Sequence, residues 1–327
     1  MTRQGETGAT GRERWVVVLS GGEGERLRAM TERWLGSHRP KQYCAFVGSR
    51  SMLEHTLDRA VQLVGAERVV TVIGRGHRAF VDTSTIPGKV IEQPMNLDTG
   101  PGILLGMAYV EAHAPDATVL IFPSDHFISP EERFLEHVER AALLTERLGD
   151  RLVLLGAHPD RPETEFGWIE PGAKTAVWSG SSSEAAQEVI SFREKPTARE
   201  AADCFARGYL WNTMIIAGRL QHYNRLAQTY LPQVASRFKT ILRFWKNAAK
   251  KIPSFAEKEA LTLLSAYYGL PRVNFSQALL QRCPEASVVL PMHGVEWSDW
   301  GKPERISETL QRLAKTSAVP LEYLTVG

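Results

Sequence analysis

Residues 15–27 read WVVVLSGGEGERL, an apolar run that stops at Ser20 and passes into a charged, glycine-rich loop. Trp15 to Leu19 shows no alternation of apolar and polar residues, the pattern of a strand buried on both faces. Short runs of the same kind recur at Arg68 to Ile73, Lys89 to Ile91, Thr118 to Phe122 and Leu152 to Leu155. Between them lie helical periodicities. Ser51 to Val64 sets Leu53, Leu57, Ala60, Val61 and Val64 on one face, and Gly102 to Ala112 and Glu131 to Leu148 behave alike. Strands alternating with helices of this length predict right-handed crossovers and a Rossmann-like α/β fold with a mostly parallel sheet. In open sheets of that kind the loops beyond the carboxyl ends of the strands carry ligands. Both the glycine loop and Pro123 to His126 follow buried strands.

Farther along, Phe166 to Glu194 holds two extended stretches separated by Gly172 to Gln187, which predicts a long hairpin with a mobile tip. Gly218 to Gln281 is largely helical in pattern, and a final short strand, Ser287 to Leu290, precedes Trp297 to Gly301. The expected organisation is a disordered tail over 1–13 and one domain over 14–327, with a core over 14–217 and a helical C-terminal part over 218–327. No hexapeptide repeat is present, so no β-helix is expected after the main domain.

The loop from Ser20 to Arg26 can present backbone N–H groups to phosphate oxygens, because glycine permits close approach and unusual φ values. A dinucleotide fingerprint needs a small residue where Leu27 stands, and a phosphate-binding P-loop needs Lys followed by Ser or Thr; neither pattern is present. The glycines alone fit either an anion cradle or a tight strand-to-helix turn. Arg26 just beyond them, with Arg39, Pro40, Lys41 and Gln42 a little farther on, supplies cations that a turn does not require.

Bulk properties set the remaining bounds. With 43% hydrophobic residues the 327-residue chain can bury a large core, and 39 Lys and Arg against 37 Asp and Glu predict neither nucleic-acid nor membrane binding. The basic stretch Arg237 to Lys251 surrounds Phe238, Ile241, Leu242 and Trp245 and reads as a solvated face over a core-facing stripe. Cys44, Cys204 and Cys283 form no metal-ligand spacing and read as free thiols. Met1 to Arg14 lacks the apolar stretch of a secretory signal, and a cytoplasmic location is expected.

Taken with five later blocks, the loop resembles the sugar-phosphate nucleotidyltransferase family, and within it the bacterial mannose-1-phosphate guanylyltransferases. The opening GGxGxRL and PKQ patterns appear as Gly21 to Leu27 and Pro40 to Gln42. They are followed in family order by Phe122 to His126, Thr164 to Ile169, Phe192 to Pro196, Trp211 to Thr213 and Trp297 to Gly301.

The resemblance implies a nucleotide-diphospho-sugar transferase fold and transfer of a nucleotidyl group from a nucleoside triphosphate, GTP favoured, to a sugar 1-phosphate, mannose 1-phosphate favoured. It implies Ser20, Gly21, Gly22, Gly24, Gln93, Asp98, Thr99 and Gly100 at the nucleotide. Arg26, Lys41, Asp125 and Lys195 would carry the chemistry, and Gly167, Glu194, Lys195 and Asn212 would hold the sugar phosphate. Asp125 and Asp299 would bind Mg2+, a cation commonly held by one or two carboxylates plus phosphate oxygens and waters. The attacking phosphate oxygen is already an anion, so no general base is required, and His126 is assigned no proton transfer. A homodimer is the expected assembly on the family's example.

Two segments depart from the family pattern. Leu97 and Asp98 stand where an Arg-Asn-Thr-Ala-Pro run has its Arg and Asn, and Asn274-Phe275-Ser276 stands where an Asp-Tyr-Ala block is usual. The carboxylate of Asp98 can accept from guanine N1–H and N2–H. A catalytically silent nucleotide-sugar sensor is the competing reading, against which stands retention of Lys41, Asp125, Lys195 and Asp299. A nicotinamide-dependent oxidoreductase is disfavoured by Leu27 at the third glycine position.

Overall fold

The computed structural model describes residues 12–175, 185–247 and 254–324. The expected tail over 1–13 falls almost wholly outside them, as do most of the expected hairpin tip and the C-terminal end of the basic stretch.

The first strand, β1 (Arg14–Ser20), alternates its apolar side chains between two layers: Trp15 and Val17 enter one core, Val16 and Val18 the other. Both faces of the sheet are therefore dry, as the unbroken apolar run requires. On either side of it lie β2 (Val69–Ile73) and β4 (Thr118–Pro123), with β3 (Lys89–Glu92) beyond β2, all parallel.

Helices cover this half. After α1 (Arg28–Leu35), α2 (Met52–Val64) begins in a capping box: Ser51 Oγ accepts from Glu54 N at 3.2 Å while Glu54 Oε2 accepts from Ser51 N at 2.7 Å. On the opposite face, α3 (Thr99–His113) is buried nearly all round. It passes so close to β1 that a Cβ at Gly106 would lie 2.4 Å from Val17 Cγ1.

The rest of the sheet is mixed. A small strand, β5 (Phe127–Ser129), and α4 (Glu131–Leu148) lead to β6 (Leu152–Ala157), and β7 (Gly167–Lys174) and β8 (Gln187–Glu194) form the expected hairpin arms. Beyond α5 (Ala198–Ala206) runs β9 (Leu210–Arg219), antiparallel to β4 and β6, between which it lies. Sequence analysis predicts no strand there. Its polar Asn212-Thr213 pair obscures the pattern, but Thr213 Oγ1 is satisfied by the carbonyl of Leu155 at 2.6 Å beside a bulge.

Helices α6 (Leu220–Tyr230), α7 (Pro232–Asn247) and α8 (Phe255–Tyr267) form the predicted helical stretch, and α7 buries Phe238, Ile241 and Trp245. The chain then returns to the sheet: β10 (Ser287–Pro291) inserts between β6 and β8, giving the order β3-β2-β1-β4-β9-β6-β10-β8-β7. The N-terminal core and the C-terminal part thus share one sheet. Finally β11 (Glu296–Ser298) pairs with β5, setting Trp297 opposite Ile128 and Ser298 opposite Phe127. Trp300 stacks on Phe127 at 4.4 Å, and α9 (Pro303–Arg312) packs Ile306 and Leu310 with Leu27, Met30 and Phe46 in a third small core. That core fixes the C-terminal segment against the glycine loop, above the point beside β1 where the strand order reverses.

Candidate active site

The glycine loop is held from behind by its carbonyls. Gln42 Nε2 donates to the carbonyls of Gly22 (2.7 Å) and Ser20 (3.2 Å), Asn96 Nδ2 donates to that of Gly21 (3.2 Å), and His38 Nε2 bonds that of Glu23 (2.8 Å). Among the described residues no amide of 22–26 donates to the protein, so these N–H groups are left for an anion. Gly24, at φ 68°, lets the loop lie on the following segment, since a Cβ there would be 2.9 Å from Lys41 N and Pro40 Cα. Of the loop's carboxylates, Glu25 pairs with Arg28 at 2.6 Å, and Glu23 Oε2 lies 3.5 Å from His77 Nε2.

In front of the loop lies a cavity of about 820 Å3, with Gly21, Gly22, Gly24, Arg26, Lys41, Gln93, Asp98, Thr99 and Asp125 in its wall. A second chamber of about 420 Å3 is lined by Gly167, Glu194, Asn212, Asn274, Ser276 and Asp299. The two share Arg26, Asp98, Thr99, Asp125, His126, Lys195 and Met214, so they are compartments of one cleft. Lys41 is buried in the wall of the larger chamber; its Nζ bonds Asp125 Oδ2 at 3.0 Å and the carbonyl of Asp299.

Asp299 is the centre of a charge network. Arg305 Nη1 binds its Oδ1 at 2.6 Å, the Gly301 amide donates to the same oxygen at 2.9 Å, and Arg26 Nη2 reaches its Oδ2 at 2.9 Å. Arg305 also pairs with Glu163 and, at 3.0 Å, with Glu165, while its guanidinium lies 4.8 Å from the Phe166 ring centre. Burial would raise the Asp299 carboxyl, but Lys41, Arg26 and Arg305 hold it well below the usual carboxylate range. Asp125 is likewise lowered against its burial, by Lys41 and His126. Burial pushes His126 down to about 4 despite Asp125 beside it. Trp297 Nε1 donates to His126 Nδ1 at 3.2 Å, which puts the neutral ring's proton on Nε2, 3.7 Å from Asp125 Oδ1.

Backbone strain concentrates here. Asp98 (φ 72°), Lys195 (φ 47°) and Met214 (φ 56°) are non-glycine residues at positive φ that line both chambers, and Trp300 (φ 44°) follows Asp299. Each such residue costs on the order of 1–3 kcal/mol and persists where the surroundings over-determine it, commonly at functional sites.

Divalent-metal chemistry fits the donor set in one form. Among the described residues no cluster of three or more His, Cys, Asp or Glu forms a metal cage. Asp125 and Asp299 both line the smaller chamber, and Asp125 keeps Oδ1 turned from Lys41. Among the described residues Asp299 Oδ2 is bonded only by Arg26, a half-exposed side chain. Two carboxylates completed by phosphate oxygens and water satisfy Mg2+.

The structure brings most of the expected residues to the cleft, with two exceptions. Ser20 is buried with its hydroxyl on Tyr43 at 3.3 Å, and Gly100 packs on Val273, to whose carbonyl its amide donates at 2.8 Å. Neither lines a chamber, because each serves the wall behind the ligand space. Gly167 makes room chiefly for protein: a Cβ there would lie 2.7 Å from Glu194 Oε2. Asn212 is buried, giving Nδ2 to Ser276 Oγ at 3.3 Å and accepting from Met214 N at 3.1 Å. Sequence reasoning omits Glu163, Glu165, Asn96 and Arg305. Glu165 lies inside one of the family blocks, and Arg305, six residues after Asp299, is a signal that could have been read as its partner.

A nucleotidyl transferase family model matches residues 15–316. The mannose-1-phosphate guanylyltransferase of Escherichia coli (strain K12) is 29% identical over 298 residues, 88% of this chain and 58% of its own length. The xanthan biosynthesis protein XanB of Xanthomonas campestris pv. campestris (strain B100) is 28% identical over 87% of this chain and 57% of its own. The chain therefore spans a little over half the length of these curated relatives. Among solved structures, that of a mannose-1-phosphate geranyltransferase from Thermus thermophilus superposes with a TM-score of 0.74 at 26% identity, covering 90% of this chain and 79% of that one.

Proposed function

Because this chain belongs to the nucleotidyl transferase family, we propose that it transfers the nucleotidyl group of a nucleoside triphosphate to a sugar 1-phosphate, with GTP and mannose 1-phosphate the favoured pair. The observation that carries this reading is the meeting of two chambers at Arg26, Asp125 and Lys195, with Lys41 of the larger chamber bonded to Asp125. One chamber has the free amides of the glycine loop for a triphosphate; the other has hydrogen-bonding side chains for a sugar.

A sugar phosphate oxygen attacks the α-phosphorus, a new P–O bond forms, and the bond to the β-phosphate breaks with release of pyrophosphate. Loop amides and Arg26 hold the triphosphate, and Lys41 offsets the charge that develops at the junction. Lys195 holds the sugar phosphate, with Glu194 and Asn212 near the sugar hydroxyls. Mg2+, held by Asp125 and Asp299, would supply charge neutralisation at the phosphates. Arg26 reaches Asp299 Oδ2 at 2.9 Å and lines both chambers, which sets its guanidinium beside the space for the phosphates. His126 stays neutral and orients beside Asp125.

Among the described residues no helix is long and apolar enough to cross a membrane. A cytoplasmic enzyme, assembled as a homodimer, completes the reading. The test is pyrophosphate release across four nucleoside triphosphates and several sugar 1-phosphates with Mg2+. GTP with mannose 1-phosphate is expected to be fastest, and Asp125→Asn to lower the rate roughly 100-fold or more. Silence with every pair would leave the sensor reading ahead.

A further inference from the structure

The two segments that depart from the family pattern meet in space. Asn274 Nδ2 donates to Asp98 Oδ1 at 3.3 Å, so the acid of the first segment and the amide of the second face each other across one hydrogen bond. The backbones around them are zipped together. Val273 N donates to the Leu97 carbonyl at 2.9 Å, Gly100 N to the Val273 carbonyl at 2.8 Å, and Phe275 N to Thr99 Oγ1 at 2.9 Å. The charge of the pair therefore lies on Asp98. Asn274 lines only the smaller chamber, whereas Asp98 lines both.

Asp98 sits at φ 72°, ψ −171°, a conformation natural to glycine and strained for any other residue. A cap alone does not account for a carboxylate there, since glycine serves nearly as well at that position. Its Oδ1 accepts from Thr99 N at 2.7 Å as well as from Asn274, while Oδ2 has no partner among the described residues. In a cleft built for phosphates, an open carboxylate oxygen suits a cation or a hydrogen-bond donor; with Asp125 and Asp299 facing the cation, what is left for Asp98 is a sugar hydroxyl or a base N–H. For the base, the larger chamber alone has the buried Gln93 in its wall.

Building on the proposed nucleotidyl transfer, we propose that Asp98 is a sugar-specificity residue, whose free carboxylate oxygen accepts a hydrogen bond from a hydroxyl of the sugar 1-phosphate in the smaller chamber. Glu194 of the same chamber, its carboxyl pushed up by burial against the pull of Lys195 and with a smaller push from Asp98, lies within electrostatic reach and completes an acceptor pair for hydroxyls.

The test is Asp98→Gly in the full chain, with sugar 1-phosphate affinity read both as KM and as Kd by calorimetry. Glycine relieves the strain, so the melting temperature should hold or rise. Affinity for the sugar 1-phosphate should fall about tenfold or more while KM for the triphosphate stays within about twofold. Discrimination against the deoxy sugar 1-phosphate that lacks the bonded hydroxyl should be lost. Asn274→Ala, which leaves Thr99 N as the partner of Oδ1, should shift the sugar KM in the same direction by less. A lowered melting temperature with both KM values moving together would reduce Asp98 to a cap, and a changed ranking among triphosphates would make it a reader of the base; either overturns the proposal. Absence of pyrophosphate release from the unaltered chain would sink the proposed reaction instead, and the calorimetric comparison would still decide the role of Asp98.

Discussion

The two walls of the cleft are built by different means. Under the glycine loop, residues 20–42 form a wall of backbone: carbonyls are tied to Gln42, Asn96 and His38, and Gly24 lies against Lys41. The facing wall is built of side chains gathered from distant parts of the chain. Asp299, Arg305, Glu163 and Glu165 hold one another through ion pairs, and Asp98, Lys195 and Met214 sit in strained conformations. A backbone wall depends on small residues and exact turns, so function and stability can be perturbed separately there. A wall of interlocked charges cannot lose one member without exposing the others to an uncompensated environment.

The sharpest way to break this distinction is Arg305→Met. The side chain is 9% exposed, and its loss removes the cation paired with Glu163, at 12%, and one of the two paired with Asp299, at 8%. Removing one partner of a buried ion pair costs about 3–5 kcal/mol, and a fall of that size is expected in chemical denaturation. Arg305→Lys should recover part of it, since a point charge satisfies one carboxylate but not the two-sided fork. A cost below about 1 kcal/mol for Arg305→Met, the range of exposed pairs, would show that the facing wall is no network.

A smaller effect is expected from His126, which couples that wall to pH. Its folded value of about 4 lies below the ordinary 6.5. Above 6.5 neither the folded nor the unfolded ring binds a proton, and this contribution to stability is full. As pH falls from 6.5 toward 4 the unfolded chain takes up a proton that the folded ring refuses, and stability declines by on the order of 3 kcal/mol. His126→Gln should flatten the melting temperature over that window. Asp125 and Asp299, held low by their cations, release their share only below the ordinary carboxylate value. An unaltered pH slope in the variant would place the titration elsewhere.

The same contrast explains what the sequence disclosed. Strands β1, β2 and β4 were legible because burial on both faces leaves an unbroken apolar run, and the glycine loop because its geometry demands a residue without a side chain. Strand β9 was not, since Asn212 and Thr213 break its apolar run while the partners that satisfy them, Ser276 and Leu155, lie 64 and 58 residues away in sequence. Arg305 was hidden for a similar reason: an arginine on a helix reads as surface until Glu163, Glu165 and Asp299 are brought around it. Ser20 and Gly100 show the converse. Both belong to legible motifs, yet they serve the support of the cleft rather than its surface.

The smallest effect separates two neighbouring glycines of the backbone wall. Gly24→Ala places a methyl 2.9 Å from Lys41 N and asks alanine to hold φ 68°, which costs about 1–2 kcal/mol from the backbone conformation alone. Because the strained contact is with the segment carrying Lys41, the melting temperature and the triphosphate KM should worsen together. Gly22→Ala differs in kind: its Cβ would meet nothing within 4 Å, and Gly22 lines the larger chamber. Stability should therefore stay within about 0.5 kcal/mol of the original, while the methyl enters the space assigned to the triphosphate and raises its KM. Melting curves paired with triphosphate titrations decide it. Equal destabilisation by the two substitutions would mean that the loop is a turn whose glycines serve folding alone, and the anion cradle would lose its main support.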